Sequence, residues 1–436
     1  MKDLKIFTND IEEKALKQID LLLEQEAFKD SKVRIMPDVH AGKGCVIGFT
    51  GDLGDKVIPN IVGVDIGCGM FCANLGKIEI DFQKLDSFIT NNIPNGMNVI
   101  RNKIADFDLT KLYCYSKLKN YNWFENSVGS LGGGNHFIEI DESDDGDKYL
   151  VIHSGSRNLG TQVANYYQDL ADQILNHDLI GYQKERDKVL KTYKELGKEK
   201  EIQATLVNLK NNFQKNQNKI PYDLAYLEGK YRDDYLHDMK ICQEFAILNR
   251  YTIAKTISDY MGFNIDNYFE SVHNYISFSD NIVRKGAISA LKDEKVIIPI
   301  NMRDGCIIGI GKGNVDWNTS APHGAGRIMS RMKAMEIIDL DEYKKSMENV
   351  YTTSVGVETI DEAPFAYKPI NEILNLITPT VEVLDIIKTI YNFKARELES
   401  LNNKKIVWDI KDRLVQNLSF YVILSLLIVW LQCKIK

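Results

Sequence analysis

Histidine is scarce in this chain, with seven in 436 residues, and cysteine is equally sparse at seven. The cysteines (Cys45, Cys68, Cys72, Cys114, Cys242, Cys306, Cys433) are odd in number and form no paired Cys-x-x-Cys knuckles. That argues against a disulfide framework or a zinc ribbon and fits a reducing cytoplasm. The amino-terminal stretch has no apolar core of the kind a secretory signal carries. No apolar run reaches the ~20 residues that a membrane-spanning helix needs. Excess basic charge is missing too: 54 Lys and Arg stand against 61 Asp and Glu, a formal charge of −7. Such a chain does not coat nucleic acid non-specifically, although a local basic groove is compatible with it. There is no internal repeat.

What is present is an ordinary globular composition, 44% apolar and 26% charged, so a sizeable core can be buried. Residues 11 to 27 read as an amphipathic helix. Residues 31 to 36 read as a strand followed by a loop over 37 to 44. Residues 46 to 49 and 57 to 64 read as short strands feeding a loop at Asp65 and Cys68. Periodicity places a helix over 81 to 92, a buried strand over 149 to 152 that ends at His153, and a helix over 159 to 174. A hairpin around Arg303-Asp-Gly305 joins two apolar runs, 296 to 300 and 306 to 310. Helices are expected over 326 to 336 and 369 to 376.

Two stretches stand apart. Residues 183 to 219 hold nine Lys and one Arg against five acidic residues. Ile202, Leu206, Leu209 and Phe213 fall on one helical face, and Gly197 breaks the stretch into a hairpin. It reads either as a solvated surface hairpin or as a basic arm on RNA phosphates. Residues 418 to 431 are almost wholly apolar but too short to span a bilayer, so they read as a docked extension rather than an anchor.

The chemistry sits in short polar or glycine-bearing stretches, where loops reach a site that a rigid scaffold positions. Cys68 lies in Gly63-Val-Asp-Ile-Gly-Cys-Gly69, three residues after Asp65. His136 ends Gly132-Gly-Gly-Asn-His136, and His153 opens His153-Ser-Gly-Ser-Arg157. His273 precedes Asn274-Tyr275. Thiol, imidazole and carboxylate together suit a borderline transition metal, and a thiolate can bridge two ions. Taken singly, Cys68 reads equally as a buried structural cysteine and each histidine as a satisfied core residue. Cys72 reads as core, and His177 and His237 as surface residues. His323, in Pro322-His-Gly-Ala-Gly-Arg327, is different in kind. It precedes the expected helix at 326, with Arg327 one turn inside, so it reads as a nucleophile toward phosphorus or as a simple cap.

Several of these stretches together resemble one family. Met36-Pro-Asp-Val-His40, Val64-Asp-Ile-Gly-Cys-Gly69, Gly134-Asn-His-Phe-Ile-Glu139 and His153-Ser-Gly-Ser-Arg157 are followed in order by His273-Asn-Tyr, Arg284-Lys-Gly-Ala287, His323-Gly-Ala-Gly-Arg327, Asp361-Glu-Ala-Pro364 and Tyr367-Lys-Pro369. In that order they look like the RtcB family of GTP- and manganese-dependent RNA ligases. The resemblance implies an α+β fold: one catalytic domain over residues 1 to 400, a β-rich core ringed by helices, a helical insertion near 180 to 240, and an extension over 401 to 436.

It also implies two manganese ions. Cys68 would bridge both, Asp65 and His136 would complete one, and His153 and His273 the other. His323 would take GMP from GTP. Asn135, His136, Phe137, Ile138, Glu139, His273, Asn274, Pro299, Ile300, Asn301, Met302, His323, Gly324, Ala325, Gly326 and Lys394 would hold the guanylate. Arg327 and Asp38 would handle the RNA or its phosphate. The implied reaction joins an RNA 3′-phosphate, or a 2′,3′-cyclic phosphate opened first, to a 5′-hydroxyl, as in RNA repair or tRNA splicing. The implied partners are broken tRNA or rRNA and GTP, with no stable membrane partner.

The family's small, flexible stretch appears here as Pro299-Ile-Asn-Met302, where Ile300 is expected to add bulk beside the nucleotide. That departure, the long 183 to 219 hairpin and the extension beyond Lys394 mark a divergent branch. Two other readings of the same residues are a metal-dependent phosphodiesterase or nuclease and a non-catalytic RNA-end-binding paralogue.

Overall fold

The structure, a computed structural model, describes residues 3 to 213 and 220 to 395. The apolar stretch 418 to 431 and the extension 401 to 436 lie outside the described residues. The fold is α+β, with two main sheets packed against helices.

The larger sheet has seven strands, in the order Lys295–Asn301, Gly305–Gly311, Val381–Lys394, Phe137–Glu142, Lys148–Ser154, Gly69–Gly76 and Tyr268–Val272. Every neighbouring pair is antiparallel. The sheet curls until its edges meet, and the Ser271 hydroxyl oxygen accepts from the Ile297 amide at 3.1 Å. Curling gives the sheet two environments. Ile138, Ile140, Ile152 and Phe71 face outward onto the helix Phe82–Asn92 and the far half of the long helix Gly229–Met261. Met70, Cys72, Phe137, Val151, Ile297, Cys306 and Ile387 close on one another inside.

The second sheet has five strands: Leu4–Ile6, Val33–His40, Ile47–Asp52, Ile282–Lys285 and Asn274–Ile276. Beneath it lies a large apolar core shared with the helices Glu13–Leu23, Arg157–His177 and the first half of Gly229–Met261.

Several local expectations hold. The helix Phe82–Asn92 starts where the Asp81 side chain accepts from the Lys84 amide. The hairpin turns at Arg303–Gly305. Gly197, at φ +66°, separates the helices Leu179–Glu195 and Ile202–Phe213.

Three differ. The strand expected over 31 to 36 runs from Val33 to His40 through Pro37, where a register irregularity absorbs the missing amide, so Asp38 is strand and not loop. Residues 57 to 64 hold only the end of the two-residue strand Lys56–Val57 and then the helix Pro59–Val62, because Pro59 sits at the first helical position, where its fixed φ suits a helix start. The helix expected from 326 begins only at Arg331. Gly326 is at φ +75°, and residues 326 to 328 bond instead to residues 366 to 368. The helix Gly229–Met261 starts within the expected insertion and continues through the core. Among the described residues no helix is long and apolar enough to cross a membrane.

Candidate functional site

The strand ends of the large sheet gather the scattered histidines. His153 ends one strand, His136 precedes its neighbour, and Cys68 precedes the strand on the other side. The Cys68 sulfur lies 3.5 Å from His136 Nε2 and 3.2 Å from His153 Nε2. His153 Nε2 lies 3.3 Å from His273 Nε2. All four residues are buried. Asp65 lies against the same point, since a Cβ on Gly155 would sit 2.7 Å from its Oδ1 and 3.3 Å from the Cys68 Cα.

The tautomers follow from the partners. His136 Nδ1 faces the Leu131 carbonyl at 2.7 Å, and His153 Nδ1 faces the Asn135 carbonyl at 3.1 Å. A carbonyl only accepts, so each Nδ1 carries the proton and each Nε2 turns a lone pair toward the cluster. Burial holds the three imidazoles below their ordinary range, with neighbouring histidines adding to the effect for His153 and His273. That shift favours the neutral form, the one a metal ligand needs. Burial and then Asp65 push the Cys68 thiol well above its usual range, so its thiolate form needs a nearby cation. Neutral imidazole lone pairs, a thiol and a carboxylate converging on one buried point fit a transition-metal centre.

The loops that carry these ligands are tied down by one helix. Arg250 donates to the Gly67 carbonyl at 2.7 Å and the Ser154 carbonyl at 3.0 Å, and pairs with Glu270. Asn249 donates to the Ser130 and Gly155 carbonyls and accepts from the Gly129 amide. Gly67 lets this helix come close, because a Cβ there would stand 2.9 Å from that of Ala246. Neither Asn249 nor Arg250 is visible in sequence, since both lie mid-helix among other polar residues.

His323 stands beside the cluster, its ring centroid 4.9 Å from that of His273. Its Nδ1 meets Asp38 Oδ2 at 2.6 Å, and the same oxygen accepts from the His323 amide at 3.2 Å. Asp38 is fully buried and therefore acts on His323, a contact the sequence did not reveal. Gly326 permits the approach, since a Cβ there would lie 2.9 Å from the Asp38 Cα. Because the helix starts later than expected, no helix N-terminus faces His323. Arg327 is not one turn into a helix either. Its guanidinium is tied to Glu362, Tyr367 and the carbonyls of Asp361 and Met329.

A cavity of about 380 Å³ opens in front of His323. Asn135, Phe137, Glu139, His273, Asn274, Pro299 to Met302, His323 to Gly326 and Lys394 line it, as do Asp65 and His153. Ile138 does not: strand alternation turns it into the helix-facing core. His136 faces Cys68 and a second cavity. Ile300 lines the first cavity, yet the residue is 2% exposed and belongs to the apolar cluster with Ile298, Ile307 and Ile373. Most of its bulk is taken up by the core while it remains part of the cavity wall.

Sequence reasoning gave no role to Glu362, Arg331 and Tyr367, which complete one wall. Burial alone would raise the Glu362 carboxyl, but Lys394, Arg331 and Arg327 outweigh it and hold the group at about 2. Lys394 Nζ bonds to Glu362 at 2.8 Å and to the Asn135 carbonyl at 3.0 Å. Burial and then Asp141 push Glu139 well above the carboxylate range.

The second cavity, of about 1090 Å³, lies on the other side of Asp65 and His136 and is lined by Arg157, Trp123, Asn95 and Asn158. Burial lowers the Arg157 guanidinium to about 10, with Asp65 opposing the shift. It sits 5.8 Å over the Trp123 ring.

This is an α+β protein built around a buried thiol–imidazole centre with a histidine–aspartate pair at the wall of an adjoining cavity. The family model described as tRNA-splicing ligase RtcB matches residues 25–121 and 113–395. The RNA-splicing ligase RtcB of Escherichia coli K12 is 31% identical over 415 residues, covering 83% of this chain and 90% of that one. The tRNA-splicing ligase RtcB of Nanoarchaeum equitans is 24% identical over 437 residues, covering 78% and 83%. The chain belongs to the RtcB family.

Proposed function

We propose that this protein is an RNA ligase that joins RNA 3′-phosphate or 2′,3′-cyclic phosphate ends to 5′-hydroxyl ends through GMP carried on His323. The observation that carries this is the His323–Asp38 pair. Asp38 can only accept from Nδ1, so Nε2 keeps its lone pair at the wall of a cavity that adjoins the thiol–imidazole cluster. The printed names of the relatives, RNA-splicing and tRNA-splicing ligases, support an RNA-joining activity.

In the first step His323 Nε2 attacks the α-phosphorus of GTP. The N–P bond forms, the bond to the bridging oxygen breaks and pyrophosphate leaves. Asp38 holds the Nδ1 proton and stabilises the charge that the ring gains. An oxygen of the RNA 3′-phosphate then attacks that phosphorus, and the N–P bond breaks. Finally the 5′-hydroxyl loses its proton, attacks the RNA phosphate and releases GMP. A cyclic end is opened by water beforehand.

Two manganese ions bound by Cys68, Asp65, His136, His153 and His273 would neutralise charge on the reacting phosphates. Asn135, Glu139 and Lys394 would hold the guanylate against Phe137. The second cavity, with Arg157 for a phosphodiester and Trp123 for a base, offers the RNA a route to the opposite side of the centre.

The test is incubation with labelled GTP and manganese, followed by a denaturing gel. Wild type should hold GMP through an acid-labile, alkali-stable bond. His323→Ala should bind manganese nearly normally, capture no GMP, and still seal RNA guanylylated beforehand. Capture by His323→Ala, or none by wild type, would replace the ligase reading with a phosphodiesterase.

A further inference from the structure

The strand Phe137–Glu142 sends Ile138 and Ile140 to the outer face of the curled sheet. Alternation therefore turns Phe137, Glu139 and Asp141 into the closed interior, among Cys72, Cys306, Ile297 and Ile387. Two carboxyl groups in an apolar enclosure need partners. Glu139 has one, as Asn392 Nδ2 donates to its Oε1 at 2.6 Å. Asp141 is 0% exposed, and only the Cys306 thiol and the Thr389 hydroxyl stand at its carboxyl, neither in a well-aligned hydrogen bond. The buried Thr389 hydroxyl beside it is unsatisfied as well. Among the described residues no Lys, Arg or His forms an ion pair with either acid.

One carboxylate oxygen each of Glu139 and Asp141 and the Cys306 sulfur all lie within 4.8 Å of one another. These three residues come from two strands and share no donor with the Cys68 cluster.

We propose that Glu139, Asp141 and Cys306 form a separate cation site at the floor of the nucleotide-sized cavity, taking a divalent ion of the zinc type. Two carboxylates and a thiolate on one ion, with Thr389 available as a neutral fourth donor, match the borderline-soft donor sets such ions take. Ligand bonds of about 2.0 to 2.3 Å require the donors to close in by roughly 1 Å. The thiol proton leaves to solvent as the sulfur binds. The site involves neither His323 nor the Cys68 centre but shares Glu139 with the proposed guanylate pocket, so its metal content is read without GTP, where a failure of the ligase reading leaves the result unchanged.

Cobalt reports thiolate ligation directly, through sulfur-to-metal absorption in the near ultraviolet. In Cys68→Ala protein, which lacks the first centre's thiol, cobalt should still produce that band at about one ion per chain. Cys68→Ala/Cys306→Ser should lose it. In the otherwise wild-type chain, Asp141→Asn should lower zinc content after loading and dialysis by one ion, measured by mass spectrometry. No cobalt band in Cys68→Ala, a band that survives Cys306→Ser, or equal zinc in wild type and Asp141→Asn would each overturn the proposal. If Cys68→Ala fails to fold, the zinc comparison with Asp141→Asn decides alone.

Discussion

At His323 the ring orientation is set by a single carboxylate. Asp38 Oδ2 takes both the Nδ1 proton and the backbone amide, which fixes the tautomer and leaves Nε2 to the cavity. Asp38→Asn keeps the shape but presents a group that can donate, favouring the wrong tautomer. It should slow GMP capture by about 10²- to 10⁴-fold while leaving manganese content unchanged, as measured by label incorporation and metal analysis. Glu362 supports a different prediction. Its carboxyl is held at about 2 among three cations, below its unfolded value. The stability it contributes is complete above the unfolded carboxyl pKa of ~4.3 and is lost as pH falls through about 2. Glu362→Gln strands those cations and should cost about 3 to 5 kcal/mol at neutral pH. Its urea midpoint should also vary less than that of wild type between pH ~5 and ~2.

At the scale of elements, the basic hairpin stands off the body. The helix Leu179–Glu195 buries no residue. Its roots meet where Asn176 Nδ2 donates to the Ile220 carbonyl at 2.9 Å and the Ile220 amide donates back at 3.3 Å. Replacing residues 180 to 218 with a short Gly/Ser link should therefore leave the thermal midpoint within a few degrees and GMP capture intact. A fall in RNA affinity with a shallower salt dependence would assign the hairpin to RNA. Elements with a local signal were legible in sequence: the capped helix at Phe82 and the hairpin at Arg303. The helix at Arg331 was misplaced because its apolar spacing starts earlier than its backbone allows. Gly326 has positive φ, and residues 326 to 328 find partners in residues 366 to 368 that lie far away in sequence.

At the scale of the whole molecule, each site residue precedes Ala395, and the family model also ends at residue 395. A chain cut after residue 400 should bind manganese and capture GMP as the full chain does, by the same gel and metal assays. Loss of both in a folded truncation would mean that the extension contributes to the site. The long helix is the element that joins the halves. Asn249 and Arg250 hold loops from three separate stretches, so the thiol–imidazole cluster depends on the packing of a helix that adds no residue to it.

The sequence by itself determined the donor types, because a scarce residue in short polar stretches has few other uses, and their order along the chain was enough to match a family. Tertiary structure alone decided which atoms meet. Asp38 belongs to His323, Ile300 to the core, and Arg327 to Glu362, because each contact joins residues 35 or more positions apart or lies within a core that closes only on folding. Strand alternation was readable locally, but the closed interior that makes Glu139 and Asp141 neighbours of Cys306 exists only once the sheet has curled on itself.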